Sequence, residues 1–435
     1  MRGLMRQFLN RFQGTIKMFD IDYKPENYAV AQNSALLAKR NTAWQFLQEN
    51  GLPTRRDEKW KYTNLSKFLA STVLAEKAHQ INTTLTRADI SKYCSREMLT
   101  LVFVDGQYCA ELSGLGDVPE GVSIEPVMSS ERLSQVVDYT KLHALSINDA
   151  LFTSGIILKA KPNTGCEKRI ELLYLSTKAM DSQLTCIQNI FELAACSKIK
   201  ISEKHVAMNA ESKVYMNIVN QIALAEGSTL NWLTLSSETQ SQIVLTKRIE
   251  VQQAKASKFE FFNAVTDGVL NRVDIDIHLN EVHAQAKVDG VFLTKNMMHA
   301  DHQINVTHKA SHTVSDVCFK GVAKDKSNGI FNAKALVQKG IHTIKALQSN
   351  KNLLLDKTAQ INTKPELEIY SDDVICAHGA TVGQLDVEAL FYLQSRGISH
   401  TKAIQMLTEG FVLELFERQD FSESEHKEIL EKISL

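Results

Sequence analysis

Short apolar runs separated by small or polar corners fill the middle of the chain. Val273-Asp-Ile275-Asp-Ile277-His-Leu279 alternates strictly, and Ala284-Gln-Ala286-Lys-Val288 does so again. That is the period of a strand with one buried face. Further apolar runs recur at Ile170–Leu175, Ile187–Leu193, Val214–Leu224 and Ile243–Val251. Corners stepping from small or polar to apolar residues begin at Gly227, Ala256, Ala284 and Ala310, at spacings of 29, 28 and 26. Strand-rich units at that period, with no helices between them, predict coils stacked into a β-solenoid. Proline is scarce, and few Asn-Gly or Asp-Gly pairs are present to seed two-residue hairpins. Asp289-Gly290 is not flanked like a hairpin, and Asp267-Gly268 and Asn328-Gly329 fall in longer loops. A hairpin-built barrel is therefore disfavoured.

The flanks read differently. Ala31–Asn50 has helical character through Leu36, Leu37, Ala43, Trp44 and Leu47, with Gly51 and Pro53 as stop signals. A strand is expected at Leu99–Asp105 and a helix over Ser130–Phe152. At the other end, Asp386 is an N-cap and Gly397 a stop for a helix carrying Val387, Leu390, Phe391 and Leu393. A second helix begins after Ser399, with Ala403, Ile404, Leu407, Phe411 and Leu415 spaced by three or four. The expected division is 1–152 mostly helical with a short strand segment, 153–385 solenoid core, and 386–435 helical. The box Arg56-Asp-Glu58-Lys-Trp60-Lys61-Tyr62-Thr63 reads as a packed loop, with Trp60 and Tyr62 buried and Arg56 and Lys61 in water. Before it, Met1–Met18 is basic and reads as an arm or upstream extension rather than a transit peptide, because its only hydroxyl residue is Thr15.

Charge narrows the function. With 49 basic against 50 acidic residues, nothing in the balance favours nucleic acid or an anionic membrane. Seven cysteines are scattered without a Cys-x-x-Cys pair, which predicts a reducing, cytoplasmic setting. No run approaches the roughly 18 apolar residues of a membrane span. There is no phosphate-binding Gly-x-x-x-x-Gly-Lys-Ser/Thr loop and no Gly-x-Ser-x-Gly elbow, so ATP hydrolysis falls to a partner. His278, His283, His299, His302, His308 and His312 crowd one region, but the three-residue step from His299 to His302 puts them on opposite strand faces. They read as exposed or hydrogen-bonded strand histidines. Cys318, between Val317 and Phe319, reads as core, and Asp372 and Asp373 as strand neighbours facing apart.

The stretch from Pro365 to Gly397 organises the rest. Leu367, Ile369, Val374 and Ile375 favour strand up to about Cys376, after which Gly379 and Gly383 are expected to break it. Cys376 and His378 lie two apart and project from one face. A thiolate beside an imidazole is half a site for a soft or borderline metal, which usually takes four ligands. Either the remaining ligands come from elsewhere, in this fold or a second chain, or Cys376 is a small buried hydrophobe and His378 a hydrogen-bonded strand residue.

Cys376-Ala-His378-Gly-Ala-Thr-Val-Gly383, followed by Phe391-Tyr392-Leu393 and Ser395-Arg396-Gly397-Ile398, resembles the C-terminal signature of the SufB/SufD family of iron–sulfur cluster assembly subunits. Asn352–Asp356, the run on to Pro365, and the Glu58-Lys-Trp60-Lys-Tyr62-Thr63 box resemble the same family, so the likeness spans nearly everything from Pro53 onward. The resemblance implies a parallel right-handed β-helix flanked by helical regions. It further implies a non-catalytic scaffold that pairs along its solenoid edge with a SufB-like paralogue, or with itself when alone. The ABC-type ATPase SufC would dock on the C-terminal helices, through Phe391, Tyr392, Arg396, Ile404, Leu407 and Phe411. Cys376 and His378 would then contribute to a transient iron–sulfur cluster at the SufB seam, in a complex that also takes a reduced flavin. No nucleic acid or membrane partner is implied. Gly379 stands where the SufB pattern reads His-Glu-Ala, and no cysteine-rich N-terminal motif is present, which separates this chain from a SufB-like primary scaffold. A β-helix enzyme acting on carbohydrate would need clustered carboxylates in register, and none are found.

Overall fold

The structure, a computed structural model, describes residues 34–69, 85–95, 98–129, 145–166, 168–177, 181–209, 211–235, 242–419, 421 and 423–433. The basic segment before Met18 and residues 130–144 of the helix expected at Ser130–Phe152 lie outside these residues. The chain is mainly β, with 48% of residues in strands and a solenoid of about seven turns. Among the described residues the strands begin with β1 (Leu99–Val104), β2 (Gln107–Cys109), β3 (Val122–Pro126), β4 (Ile156–Ala160) and β5 (Ile170–Ser176). Next come β6 (Gln183–Leu193), β7 (Lys198–Ala207), β8 (Lys213–Leu224), β9 (Thr229–Leu235), β10 (Gln242–Gln253), β11 (Lys258–Val265) and β12 (Leu270–Leu279). The series closes with β13 (Gln285–Thr294), β14 (His299–His308), β15 (Val314–Ala323), β16 (Asn328–Val337), β17 (Ile344–Leu354), β18 (Gln360–Ile369) and β19 (Val374–Gly383).

Each coil contributes one strand to each of two sheets. One sheet runs β19-β17-β15-β13-β11-β9-β7-β5-β1-β2 and the other β18-β16-β14-β12-β10-β8-β6-β4-β3. Beyond β4 and β5 every pairing among the described residues is parallel, so no hairpin joins successive strands there. Identical positions stack coil on coil. Thr229, Lys258, Gln285 and Val314 occupy one column at spacings of 29, 27 and 29. The repeat read from the sequence is therefore real but out of phase by one or two residues in its later units, because corner composition marks a turn without fixing which residue opens the next strand.

The inward faces make one continuous core. Ile199, Ile201, Leu230, Trp232, Phe259, Phe261, Val288, Phe292, Val317 and Phe319 all belong to it. Burying a Val, Leu, Ile or Phe side chain contributes roughly 1.5–3 kcal/mol relative to exposure. The shapes are matched rung by rung. A Cβ on Gly290 would run into the Phe319 ring and one on Gly321 into the Phe292 ring, so small residues sit where large neighbours already fill the space.

Helices cover the two outer faces. Helix α1 (Ser34–Asn50) and helix α4 (Leu145–Leu151) lie on the nine-stranded sheet, where Leu36, Trp44, Leu47 and Phe152 meet Ile157, Cys186, Ile190, Tyr215 and Val219. Arg40 is fully buried and donates to the carbonyls of Ala150 and Phe152, while Lys39 pairs with Asp149 at 3.0 Å. Short helices α2 (Leu65–Leu69) and α3 (Arg87–Ile90) follow, then α5 (Val387–Ser395), α6 (His400–Phe416) and α7 (Glu423–Ile433) at the C-terminus. Val412, Leu415, Phe416 and Ile429 seat α6 and α7 on the ten-stranded sheet against Leu233, Phe262, Val291 and Val322.

Several expectations need correction. Gly379 does not break β19, which runs through it to Gly383; in a parallel ladder a missing side chain weakens a strand without ending it. Asn328-Gly329 lies inside β16 rather than in a loop, whereas Asp289-Gly290 forms no hairpin, as its flanks indicated, and lies inside β13. A two-residue hairpin does occur, at Asp105-Gly106, where both residues take positive φ and Val104 pairs with Gln107; that Asp-Gly signal stood in the sequence. Tyr62 is exposed, not buried. Cys318 points outward, beneath the C-terminal helices, instead of into the solenoid. Asp372 and Asp373 sit in the corner before β19, where Asp373 accepts from the Thr343 amide and hydroxyl.

Candidate functional site

The two ends of the solenoid are unlike. At the N-terminal end, β2 and β3 pair antiparallel with β1 and β4, reversing direction at the edge. At the C-terminal end, β18 and β19 each pair on one side only, leaving two rows of backbone donors and acceptors unpaired. The amides of Gln360 and Tyr370 donate inward, to Ser327 and Val337. Odd positions of β18 therefore face the open edge, and Pro365 is among them. Proline lacks the donor and is confined in sheets to edges and bulges, so its presence in a strand pattern marked this edge in advance. No proline interrupts β19.

Cys376 and His378 sit on this rim. Cys376 stacks on Ala346 and His378 on Gln348; both partners are buried, so both rim residues occupy inward columns of the solenoid. Because no coil follows, His378 is exposed and Cys376 only half-buried. The expected shared face is present. Partial burial raises the Cys376 thiol pKa, opposed by a backbone hydrogen bond from Ala346. A thiol held protonated becomes a thiolate ligand only when a metal displaces the proton.

The floor beneath the pair is amide-rich. Gln348, Asn350 and Asn352 are all buried in β17. With its amide turned to suit both neighbours, Gln348 donates to the Ala333 carbonyl at 3.1 Å and accepts from the Ala335 amide at 3.0 Å, tying the two sheets together under the rim. Asn352 donates to the Thr381 carbonyl at 3.0 Å. Around the pair lie exposed apolar side chains that the motif reading passed over. Ile375 is 68% exposed, and Ile369, Tyr370 and Val382 accompany it. The apolar pair Val374-Ile375, which puts a hydrophobe on both faces of the strand, was the available signal. Among the described residues no group of three or more His, Cys, Asp or Glu side chains converges to hold a metal ion.

A second exposed surface adjoins the rim. Asp386 caps α5 by accepting from the Glu388 and Ala389 amides, and Gly397 follows its end at φ 86°. Helix α5 buries no residue. Val387 is 76% exposed and Phe391 71%; Tyr392 and Arg396 are also exposed, with the guanidinium over the Tyr392 ring at 5.1 Å. Leu407 lines the open groove beside them. Ile404 is half-buried, and Phe411 turns toward the solenoid, where the Lys320 ammonium lies over its ring at 4.7 Å. Large exposed apolar patches of this kind mark interaction surfaces.

The Glu58–Thr63 box docks on the outer face of the nine-stranded sheet. Trp60 is buried with the Arg272 guanidinium 3.7 Å from its ring centre, and Arg272 is itself held by Asp274 and Asp301. Thr63 bonds to Asp301 and, at 2.8 Å, to His299. His299 is thereby on the outer face, whereas His302 is inside the solenoid and bonded to Asn263 at 3.0 Å, on opposite faces as the spacing required.

Among the described residues no helix is long and apolar enough to cross a membrane. The chain matches the model of the SUF system FeS cluster assembly, SufBD core domain, over residues 175–411, more than half its length, and that of the SufBD protein N-terminal region over 17–153. An iron–sulfur cluster assembly SufBD family protein of Synechocystis sp. is 25% identical, over 89% of this chain and 88% of that protein. The iron–sulfur cluster assembly protein SufD of Escherichia coli is 28% identical, over 86% of each chain. The chloroplastic protein ABCI7 of Arabidopsis thaliana is 24% identical, over 87% of this chain and 82% of the relative. A two-sheet solenoid with helices at both termini and matches along nearly its whole length make this chain a SufD-type member of the SufB/SufD family of iron–sulfur cluster assembly proteins.

Proposed function

We propose that the chain serves as a scaffold subunit whose C-terminal rim is completed by a related solenoid, a SufB-like paralogue. The single observation that carries this reading is that, among the described residues, the β19 edge bearing Cys376 and His378 is unpaired and no further ligand converges on them. Half a ligand set on an open edge suits a site assembled between two chains, since a second strand would supply both the missing backbone pairing and the missing donors. The iron–sulfur cluster is cargo there. Histidine binds more weakly than thiolate, which suits a site that must release its product.

The exposed apolar face of α5, with Leu407 of α6, supports docking of an ABC-type ATPase of the SufC kind. ATP-driven movement of that partner would be transmitted through α5 and α6 to the adjoining rim, opening the seam to iron and sulfide. The chain's own part is to hold and present, not to catalyse.

The test is anaerobic reconstitution with iron and sulfide of the complex co-expressed with SufB-like and ATPase chains, read by visible absorption. Cys376→Ser and His378→Ala should each lower the cluster signal per complex while the three chains still co-purify. A full cluster signal from both variants would reject the rim as the site. Phe391→Asp should release the ATPase and leave the SufB-like chain bound.

A further inference from the structure

On the solenoid's outer edge, in the corners of the coils that precede the rim, three imidazoles stack on successive coils. His283 lies in the corner between β12 and β13, His312 between β14 and β15, and His342 between β16 and β17. All three are exposed. The His283 and His312 rings have centroids 5.1 Å apart, and those of His312 and His342 are 5.5 Å apart. The coil repeat enforces the alignment: the His312 amide donates to the His342 carbonyl at 3.0 Å, and the His342 amide to the Ser311 hydroxyl at 3.1 Å. His283 and His312 also adopt left-handed backbone, at φ 63° and 59°, in the corner position that Gly227 fills in an earlier coil. Among the described residues neither of these two rings makes a hydrogen bond that would occupy its nitrogens.

We propose that His312, with either neighbour, chelates a divalent transition-metal ion on the outside of the solenoid. The separation suits that chemistry. Zinc-type ions bind imidazole nitrogen at about 2.0–2.1 Å, so two imidazoles at a tetrahedral angle put their ring centres about 5 Å apart. The observed spacings match, and exposed rings need only rotate to aim their nitrogens at a common point. Imidazole is a good ligand for zinc, nickel, copper and iron. The ladder is straight, not triangular: coils repeat at about 4.8 Å, so His283 and His342 are about two repeats apart and cannot reach one ion. One ion takes two histidines and completes its shell with water. His312, common to both pairs, is the necessary member. The ligands all belong to this chain, and none of them is a rim residue.

The experiment uses the tag-free full chain in a Cys376→Ser/His378→Ala background, titrated with Ni²⁺ by calorimetry at neutral pH. Asparagine tolerates the left-handed corner, so His312→Asn removes the ligand and keeps the fold. We expect His312→Asn to weaken Ni²⁺ binding by about tenfold or more, worth about 1.4 kcal/mol, and the double variant His283→Asn/His342→Asn to do the same by leaving a single histidine. Each end variant alone keeps one intact pair and should lose only about twofold, with the smaller loss for His342→Asn, because the Ser311 hydroxyl at 3.3 Å already engages His342 Nδ1. Unchanged Ni²⁺ affinity in His312→Asn, or in the double variant, overturns the proposal.

Discussion

Val288 and Val317 lie in one inward column, sealed by the coils on either side; one coil further on that column carries Gln348, and on the last coil His378. The neighbouring column passes through Phe259, Ala286, Ser315 and Ala346 to end at Cys376. The backbone is the same in both regions, and so is the direction in which the side chains point. What differs is the presence of a next coil. In the middle, an inward residue must fill space or find a partner. At the rim it meets solvent, and polar or reactive groups become admissible because they are not desolvated.

The interior keeps its few charged groups only in tight sets. Lys247 is fully buried and lies 2.8 Å from Glu203, which also faces His205 at 3.1 Å. Burial opposes ionisation of Glu203, but Lys247 and His205 outweigh it and hold the carboxyl down at about 2. For Lys247 burial is the larger effect and lowers its pKa despite Glu203. The 2.8 Å contact with a carboxylate that keeps its charge holds the two as an ion pair. His302, against Phe292 and Phe319, and His308, against Thr313 and Ser315, are pushed by burial down to about 4 and are neutral at neutral pH.

The contrast breaks most readily at the ion pair. Lys247→Ala should cost about 3–5 kcal/mol in urea denaturation, because a carboxylate is left buried without its cation; a loss under about 1 kcal/mol would mean that the interior is wetter than the side-chain packing implies. Lys247→Met with Glu203→Leu should recover most of that loss. Acid should act next. The unfolded chain takes up protons at His302 and His308 near 6.5, the folded chain only near 4. Their contribution is complete above about 6.5 and lost as pH falls toward 4, at up to about 2.7 kcal/mol per pH unit for two protons. His302→Phe should roughly halve that slope in chemical denaturation repeated across the window. Gly321→Ala presses a methyl group against the Phe292 ring and should destabilise by about 1–3 kcal/mol. The rim variant Ile375→Asp should change stability of the isolated chain by no more than about 0.5 kcal/mol, yet abolish co-purification with a SufB-like chain. If it unfolded the chain instead, the rim would be interior after all.

Period-two alternation from Val273 to Val288 and the recurring corners set out the stacked coils, and the Asp386, Gly397 and Ser399 signals set out α5 and α6, because these features depend on neighbours within a few residues. The Cys-x-His spacing likewise placed both rim side chains on one face. The phase of the repeat was not legible in this way, since it depends on which residue of each corner meets its counterpart about 29 positions away. Nor was the outward turn of Cys318, whose apolar flanks say nothing about which sheet face the helices cover. The histidines divide along the same line. Local spacing separates His299 from His302, but only the stacking of coils brings the His312 ring to 5.1 Å from that of His283 and 5.5 Å from that of His342. Local sequence chose the strands, their faces and the chemistry they carry. Contacts between coils decided which of those faces were closed and which were left open, because burial belongs to the neighbour as much as to the residue.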